Sequence, residues 1–186
     1  MAQARVFPPP VPAAWLQWQG ALPAGLCLRF AADPDLPFLR GLYARSRALE
    51  LAQAPWPDAA KRAFCDNQFE LQHRHYASHA PAAFLVVTRD GAAIGRLTLH
   101  WAADILRIVD LLLDAHARSL GIGTALLRWL QCAAIDGGFA AVELHVAMDN
   151  DRACRLYRRV GFAEQPSTAA GHRRMCWRPM AAATVS

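Results

Sequence analysis

The sequence predicts an α/β (α+β) domain in which helices cover a mixed sheet, and three observations predict it. The run Leu106–Leu113 (LRIVDLLL) is nearly continuous in apolar residues, as in a central strand buried on both faces. Just beyond it, Ile122, Leu126, Trp129, Leu130 and Ala133 fall on one stripe of a helical period that runs to about Asp136. On either side, short apolar runs bounded by turn residues alternate with further helical stretches.

Taken in order, Val6 to Gly25 is a Pro-punctuated arm, expected to lie over the domain by Trp15 and Trp18. Cys27 to Phe30 reads as a short strand, and Asp33-Pro34 starts a helix to about Arg47. A second helix begins near Trp56-Pro57-Asp58 and continues to about His79, with Phe64, Leu71 and Tyr76 as its apolar face. Phe84 to Thr88 and Ala93 to Trp101 are strands joined through Arg89-Asp90-Gly91, where Asp-Gly tolerates the positive φ of a hairpin turn. After the central strand, Gly137-Gly138 stops the helix that follows it. Ala140 to Ala147 is a strand, Asp151 to Val160 a short helix ended by Gly161, and Phe162 to Gln165 with Arg174 to Arg178 a closing strand pair. The expected division is an arm at 1–25, one domain at 26–181 and a tail at 182–186.

Composition narrows the function classes. At 186 residues the chain is long enough for one sizeable core. It has 54% apolar and 19% charged residues, as in a globular protein rather than a disordered one. No apolar run approaches the ~18 residues of a bilayer span, and the first residues lack the apolar core of a signal peptide. The expectation is a cytoplasmic protein without a membrane partner. The five cysteines are widely spaced with no C-x-x-C pair, so neither a disulfide framework nor a zinc ribbon is expected. The net charge of +5 comes from scattered arginines without a dense block, and a phosphate-rich small ligand accounts for it as well as nucleic acid does. No nucleic-acid partner is expected.

The chemistry concentrates in Arg118, Ser119, Leu120, Gly121, Ile122, Gly123 and Thr124, between the buried strand and the amphipathic helix. Glycines allow a tight turn and close approach to a ligand, and the helix start offers unpaired N–H groups with the positive dipole end behind them. A phosphate-binding P-loop needs Gly-Lys-Ser/Thr, but Gly123 is followed by Thr124-Ala125. A dinucleotide fingerprint needs a third small residue where Leu126 stands.

Two blocks together go further. Arg118-x-x-Gly121-x-Gly123 after the strand, then Leu144, Val146, Asn150, Ala153, Tyr157, Gly161 and Phe162, resemble the signature of the GNAT (Gcn5-related N-acetyltransferase) superfamily in order and spacing. The resemblance extends more loosely from about Leu28 to Met180. Ala115 and Asp151 depart from prolines common in the family and Ser119 from a glycine, none of them a glycine the phosphates need.

This resemblance implies a mixed, mostly antiparallel sheet of about six to seven strands, splayed between the fourth and fifth and flanked by about four helices. It implies acetyl-CoA as co-substrate. The pantetheine arm is expected along the main chain of Leu111, Leu112 and Leu113, the diphosphate in the Arg118–Thr124 turn, and Asn150 and Ala153 on the far side. Asn150 also suits a helix N-cap.

It further implies direct transfer to a small-molecule or peptide amine, with Tyr157 as general acid near the thioester sulfur and a backbone N–H near Leu113 facing the carbonyl oxygen. His145, twelve residues before Tyr157, stands where ribosomal-protein N-terminal acetyltransferases of this family carry a glutamate base. Asp110 competes for that role, because an ionisable group in so apolar a run is expensive unless paired, here with Arg107 or Arg96, or functional. His100 is a third choice. The acceptor side is expected at Glu50 to Trp56 and at Pro166 to His172. There Glu50 would attract a cationic amine, Trp56 would pack on it, and Gln68, Gln72 and His75 would line the rim. His75 and His79 have i, i+4 spacing, but no H-E-x-x-H pattern surrounds them, and no metal is expected. Cys154 reads as packing. A homodimer is left open, and a CoA-binding sensor without turnover is the competing function.

Overall fold

The computed structural model describes residues 7–8, 22–78, 81–167 and 169–179. Trp15, Trp18, His79 and the 182–186 tail lie outside the described residues. Among the described residues four α-helices and seven strands follow in the expected order: β1 (Leu26–Phe30), α1 (Leu36–Ala52), α2 (Asp58–Ala77), β2 (Ala82–Arg89), β3 (Ala92–Ala102) and β4 (Ile105–Leu113). Then come α3 (Ile122–Asp136), β5 (Ala141–Ala147), α4 (Asp151–Arg159), β6 (Ala163–Gln165) and β7 (His172–Trp177). The strands form one sheet in the order β1-β2-β3-β4-β5-β7-β6. Every pairing is antiparallel except β4 with β5.

One face of the sheet carries the larger core. Leu126, Leu127, Trp129 and Leu130 of α3 are fully buried against Leu97, Leu99, Leu106, Val142 and Leu144, and Cys154 and Tyr157 of α4 join them. Each buried leucine contributes roughly 1.5–3 kcal/mol. The opposite face holds a smaller cluster in which Leu39 of α1 and Phe69 of α2 meet Ala82 and Phe84 of β2. Phe7 of the N-terminal arm packs there edge-on to His73 and Phe84.

The structure corrects several readings. Asp33-Pro34 opens a 3₁₀ turn, α1 begins only at Leu36, and it continues past Arg47 to Ala52. The inward face of α2 is Cys65 and Phe69, whereas Leu71 is 49% exposed. A long polar helix with few apolar residues offers two plausible stripes, and the sheet selects the one that joins the cluster of Phe84.

The central strand is not buried throughout. Leu106 and Ile108 are, but Val109 to Leu113 are only partly covered. Parallel pairing runs from Ile105↔Ala141 to Ile108↔Leu144 and stops there. On the other edge of β4, Thr98 pairs with Asp110 and Leu99 with Ile108, leaving Val109 as an extra residue. A bulge bends the strand that carries it, and this one sits where β4 parts from β5. The far halves of the two strands therefore diverge and leave a gap between them.

Candidate active site

Beyond the gap the chain turns toward α3 through a loop that needs special backbone conformations. Ser119 (φ 64°) and Gly121 (φ 79°) are both left-handed. For a serine that conformation costs about 1 kcal/mol. Here Arg152 of α4 donates to the Ser119 hydroxyl at 2.7 Å, so the strained residue is held from outside. Gly121 is the N-cap of α3 and supplies no side-chain cap. The first N–H groups of α3, which have no intrahelical acceptor, thus face the loop with the helix dipole behind them.

Gly123 also has a packing role. A β-carbon there would lie 3.0 Å from Cδ2 of Leu156, so this glycine lets α4 pack closely on α3. Its neighbour Thr124 accepts from Arg159 at 3.2 Å. Arg152 and Arg159 were missed in the sequence. Their only signal is that both project from the short, highly charged helix within the second motif block. Arg118 folds back and donates from Nε to the Leu113 carbonyl at 2.8 Å, bracing the loop against the end of β4.

That end of β4 has a second support that sequence reasoning overlooked. Gly95 of β3 lies opposite Leu113, and a β-carbon there would meet the Leu112 carbonyl oxygen and Leu113 Cδ2, each at 2.7 Å. Only glycine admits so close a crossing. Asp114, next along, accepts from Arg45 of α1 at 2.6 Å and from the Ala115 N–H at 2.7 Å. Burial pushes its carboxyl up, but these bonds and the Arg45 charge outweigh that and hold it below its ordinary value.

Asn150 caps α4 by accepting from the Ala153 N–H at 3.1 Å. Tyr157, two turns on, is 9% exposed and tilted against Phe162. Its phenol is pushed up to about 12, chiefly by burial and then by the negative charge of Asp110 and by Cys154. Tyr157 packs on the α3 side of the sheet, whereas Asp110 points to the α1–α2 side. The Asp110 charge nonetheless reaches the Tyr157 phenol beside the gap between β4 and β5.

Asp110 is spoken for. It accepts from Arg96 Nε, and Arg96 also donates to Gln72 of α2 at 2.8 Å. The Arg96 guanidinium lies over the rings of Tyr43 and Phe69. Arg96 is thus the partner of Asp110, while Arg107 turns to Glu143 instead, at 3.7 Å. An acid with an arginine already on it makes a poor general base. Beside this network is a cavity of only about 20 Å³, lined by Phe69, Gln72, Tyr76, Arg96 and Thr98 among others. That is room for one water, too little for an amine substrate.

His145 lies one residue past the last β4–β5 pair, at the mouth of the gap and exposed. Its imidazole is held below the usual histidine value, first by partial burial, then by the charges of Arg107, Arg174 and His172. A neutral imidazole at neutral pH can accept a proton. Beneath it Glu143, 1% exposed, accepts from both Nε and Nη2 of Arg174.

Of the acceptor residues, Glu50 sits in the last turn of α1 and pairs with Arg47 at 2.7 Å rather than standing free. Trp56 is 45% exposed and packs edge-on against Phe64. Gln68 is half-buried on α2, one turn before Gln72. His100 approaches the Tyr76 carbonyl at 3.1 Å. All five cysteines are free, with Cys27 and Cys132 exposed and the others buried. Among the described residues no cluster of three or more His, Cys, Asp or Glu could hold a metal ion, and no helix is long and apolar enough to cross a membrane.

The sequence model of the acetyltransferase (GNAT) family matches residues 42–162, from the middle of α1 to the end of the second motif block. The chain belongs to the GNAT acetyltransferase family. Solved GNAT structures share its fold. The PaiA N-acetyltransferase from Thermoplasma acidophilum, in complex with coenzyme A, superposes with a TM-score of 0.65 at 18% identity, over 83% of this chain and 99% of that one. A spermidine N-acetyltransferase from Vibrio cholerae, in complex with CoA and spermine, gives 0.60 at 20% identity, over 84% and 96%. The acetyltransferase from Salmonella typhimurium that modifies the N-terminal serine of ribosomal protein L7/L12 gives 0.59 at 18% identity, over 85% and 97%. No curated protein matches the chain in sequence. At these identities the likeness speaks for the GNAT fold, with its parallel β4–β5 pair and open sheet.

Proposed function

We propose that this chain is an acetyl-CoA-dependent N-acetyltransferase that moves the acetyl group directly to a primary amine in a ternary complex, within a domain spanning residues 26–181. The observation that carries the reading is the end of β4–β5 pairing at Ile108↔Leu144 beside a left-handed loop at the start of α3. An extended arm carrying amides can lie along the freed edge of β4 at Leu111, Leu112 and Leu113, as an added strand does. A diphosphate fits the Arg118–Thr124 turn, whose N–H groups converge with the helix dipole, and Arg152 and Arg159 add positive charge from α4. Asn150 and Ala153 border the arm on the α4 side.

In the reaction the amine nitrogen attacks the thioester carbonyl, the C–S bond breaks, and sulfur leaves with the bond's electron pair. His145 takes the proton that the nitrogen sheds. A main-chain N–H near Leu113 faces the carbonyl oxygen as it gains charge. Tyr157, with its phenol near 12, keeps its proton throughout the neutral range. An ordinary thiol titrates near 8.5, so full transfer from Tyr157 to the departing thiolate is uphill. The phenol therefore acts mainly as a hydrogen-bond donor to sulfur, and solvent completes the protonation.

The test is incubation with acetyl-CoA and a broad panel of amines while following free thiol. Thiol release with at least one primary amine supports the reading. Tight acetyl-CoA binding with no release across the panel would instead mark a CoA-binding sensor.

A further inference from the structure

The sheet face on the α1–α2 side, next to the gap, is built from alternate residues of four strands. On β3 these are Arg96, Thr98 and His100, and on β4 Arg107 and Asp110, as the register Thr98↔Asp110 and His100↔Arg107 requires. On β5 and β7 they are Glu143, His145, His172 and Arg174, since His145 is paired directly with Arg174 and Ala147 with His172.

The charges on this face do not balance. Asp110 is matched by Arg96, and buried Glu143 is shared between Arg174 and Arg107. One guanidinium is therefore in excess. The Arg107 side chain is 51% exposed and reaches Glu143 only at 3.7 Å, beyond hydrogen-bond distance. Arg174 gives Glu143 two of its donors and keeps its side chain 36% exposed. Glu50, the carboxylate expected to draw in a cation, is taken by Arg47. The same two arginines, after partial burial, lower the neighbouring His145 imidazole.

This inference rests on the transferase reading above, in which His145 marks where the amine reacts. We propose that the acceptor carries an oxyanion, a carboxylate or phosphate-type group, a few ångströms from its reacting amine, and that Arg107 and Arg174 bind it. Guanidinium groups with free N–H donors suit a planar or tetrahedral oxyanion by geometry as well as by charge. The Arg107–Glu143 pair lies two residues from His145 along the strand, about 7 Å. That matches an amine and an anion separated by a short chain. A polyamine, by contrast, meets on this face only acids that already have arginine partners.

Two matched series test this on the full-length protein saturated with CoA. The alkyl series is 4-aminobutyrate, 4-aminobutanamide and 1,4-diaminobutane. The peptide series is a hexapeptide with a free N-terminal serine followed by Asp-Glu, Asn-Gln or Lys-Lys. Binding is measured by calorimetry, and thiol release is followed separately with acetyl-CoA. In at least one series the acidic member is expected to bind about tenfold more tightly than its neutral amide, roughly 1.4 kcal/mol. That preference should shrink in Arg107→Gln and at high salt. Equal or weaker binding of the acidic member in both series, or no binding in either, overturns the proposal whatever turnover does. Selective binding without thiol release leaves the proposal standing and removes the transferase reading.

Discussion

His145 stands directly across the β5–β7 ladder from Arg174, and Arg107 reaches the same face from β4. Together with partial burial, these cations hold the imidazole below its ordinary value. The base form is the neutral one, so a lowered value extends activity toward acid. With a low-pKa acceptor, the acid limb of kcat/KM is expected below the ordinary histidine value of about 6.5. Arg107→Gln removes a cation and should move that limb upward. His145→Ala should abolish the limb and reduce kcat about a hundredfold. A limb that ignores both substitutions removes His145 from the reaction.

Tyr157 is buried with its phenol pushed up to about 12, while the side of α4 proposed to meet the coenzyme is formed separately by Asn150, Arg152 and Arg159. Tyr157→Phe keeps the packing against Phe162 and deletes only the hydroxyl. It should lower kcat about a hundredfold and leave the dissociation constant for CoA within about twofold. Calorimetry beside steady-state kinetics separates these, and unchanged kcat would remove the hydroxyl from the chemistry.

The glycines beside the gap should respond differently to alanine. At Gly121 a β-carbon meets nothing within 4 Å, so the whole effect is the left-handed backbone, about 1 kcal/mol, seen mainly in CoA affinity. At Gly95 the β-carbon collides with the Leu112 carbonyl, a backbone atom that can yield only if β4 shifts. Gly95→Ala is expected to lower folding stability by about 1–3 kcal/mol and to weaken CoA binding as well. Urea denaturation with and without CoA distinguishes the two.

Glu143 and Arg174 are unequally buried, the carboxylate side chain 2% exposed and the guanidinium 36%. Removing Arg174 leaves the buried carboxylate with only the more distant Arg107, at 3.7 Å, whereas removing the acid leaves a cation that water can reach. Arg174→Gln should therefore lower the urea midpoint more than Glu143→Gln does. Burial raises the Glu143 carboxyl, but the hydrogen bond and charge of Arg174, with Arg107, outweigh it and the net direction is downward. A carboxyl lowered in the folded state stabilises the protein above its unfolded value of about 4.3. That contribution is lost as pH falls through the folded value. The urea midpoint of the parent should thus fall more steeply below about pH 4.3 than that of Glu143→Gln.

Much of this was legible in the residues. The α3 stripe was readable to its ends, Ile122–Asp136, because one amphipathic period and a stop at Gly137 leave little choice. The loop at Gly121 and the cap at Asn150 were readable because each rests on local backbone chemistry. The face of α2 was not, since Leu71 and Phe69 are both apolar and only the sheet decides between them. Nor was the half-open β4, where an apolar run lines a gap instead of a core. Arg96 was one of two arginines readable as the partner of Asp110, and the β3–β4 register decides for it, whereas the Glu143–Arg174 pair joins strands 31 residues apart and no spacing rule brings it together.

The central claim is that the freed edge of β4 and the start of α3 hold the coenzyme by main-chain groups. Hydrogen exchange at residue resolution, with and without saturating acetyl-CoA, tests it most directly. Slowed exchange is expected for gap-facing amides in 109–113 and for those of Gly121 to Thr124, with little change in β1 and β2. Unaltered exchange in both segments of the folded protein at saturating acetyl-CoA would contradict it.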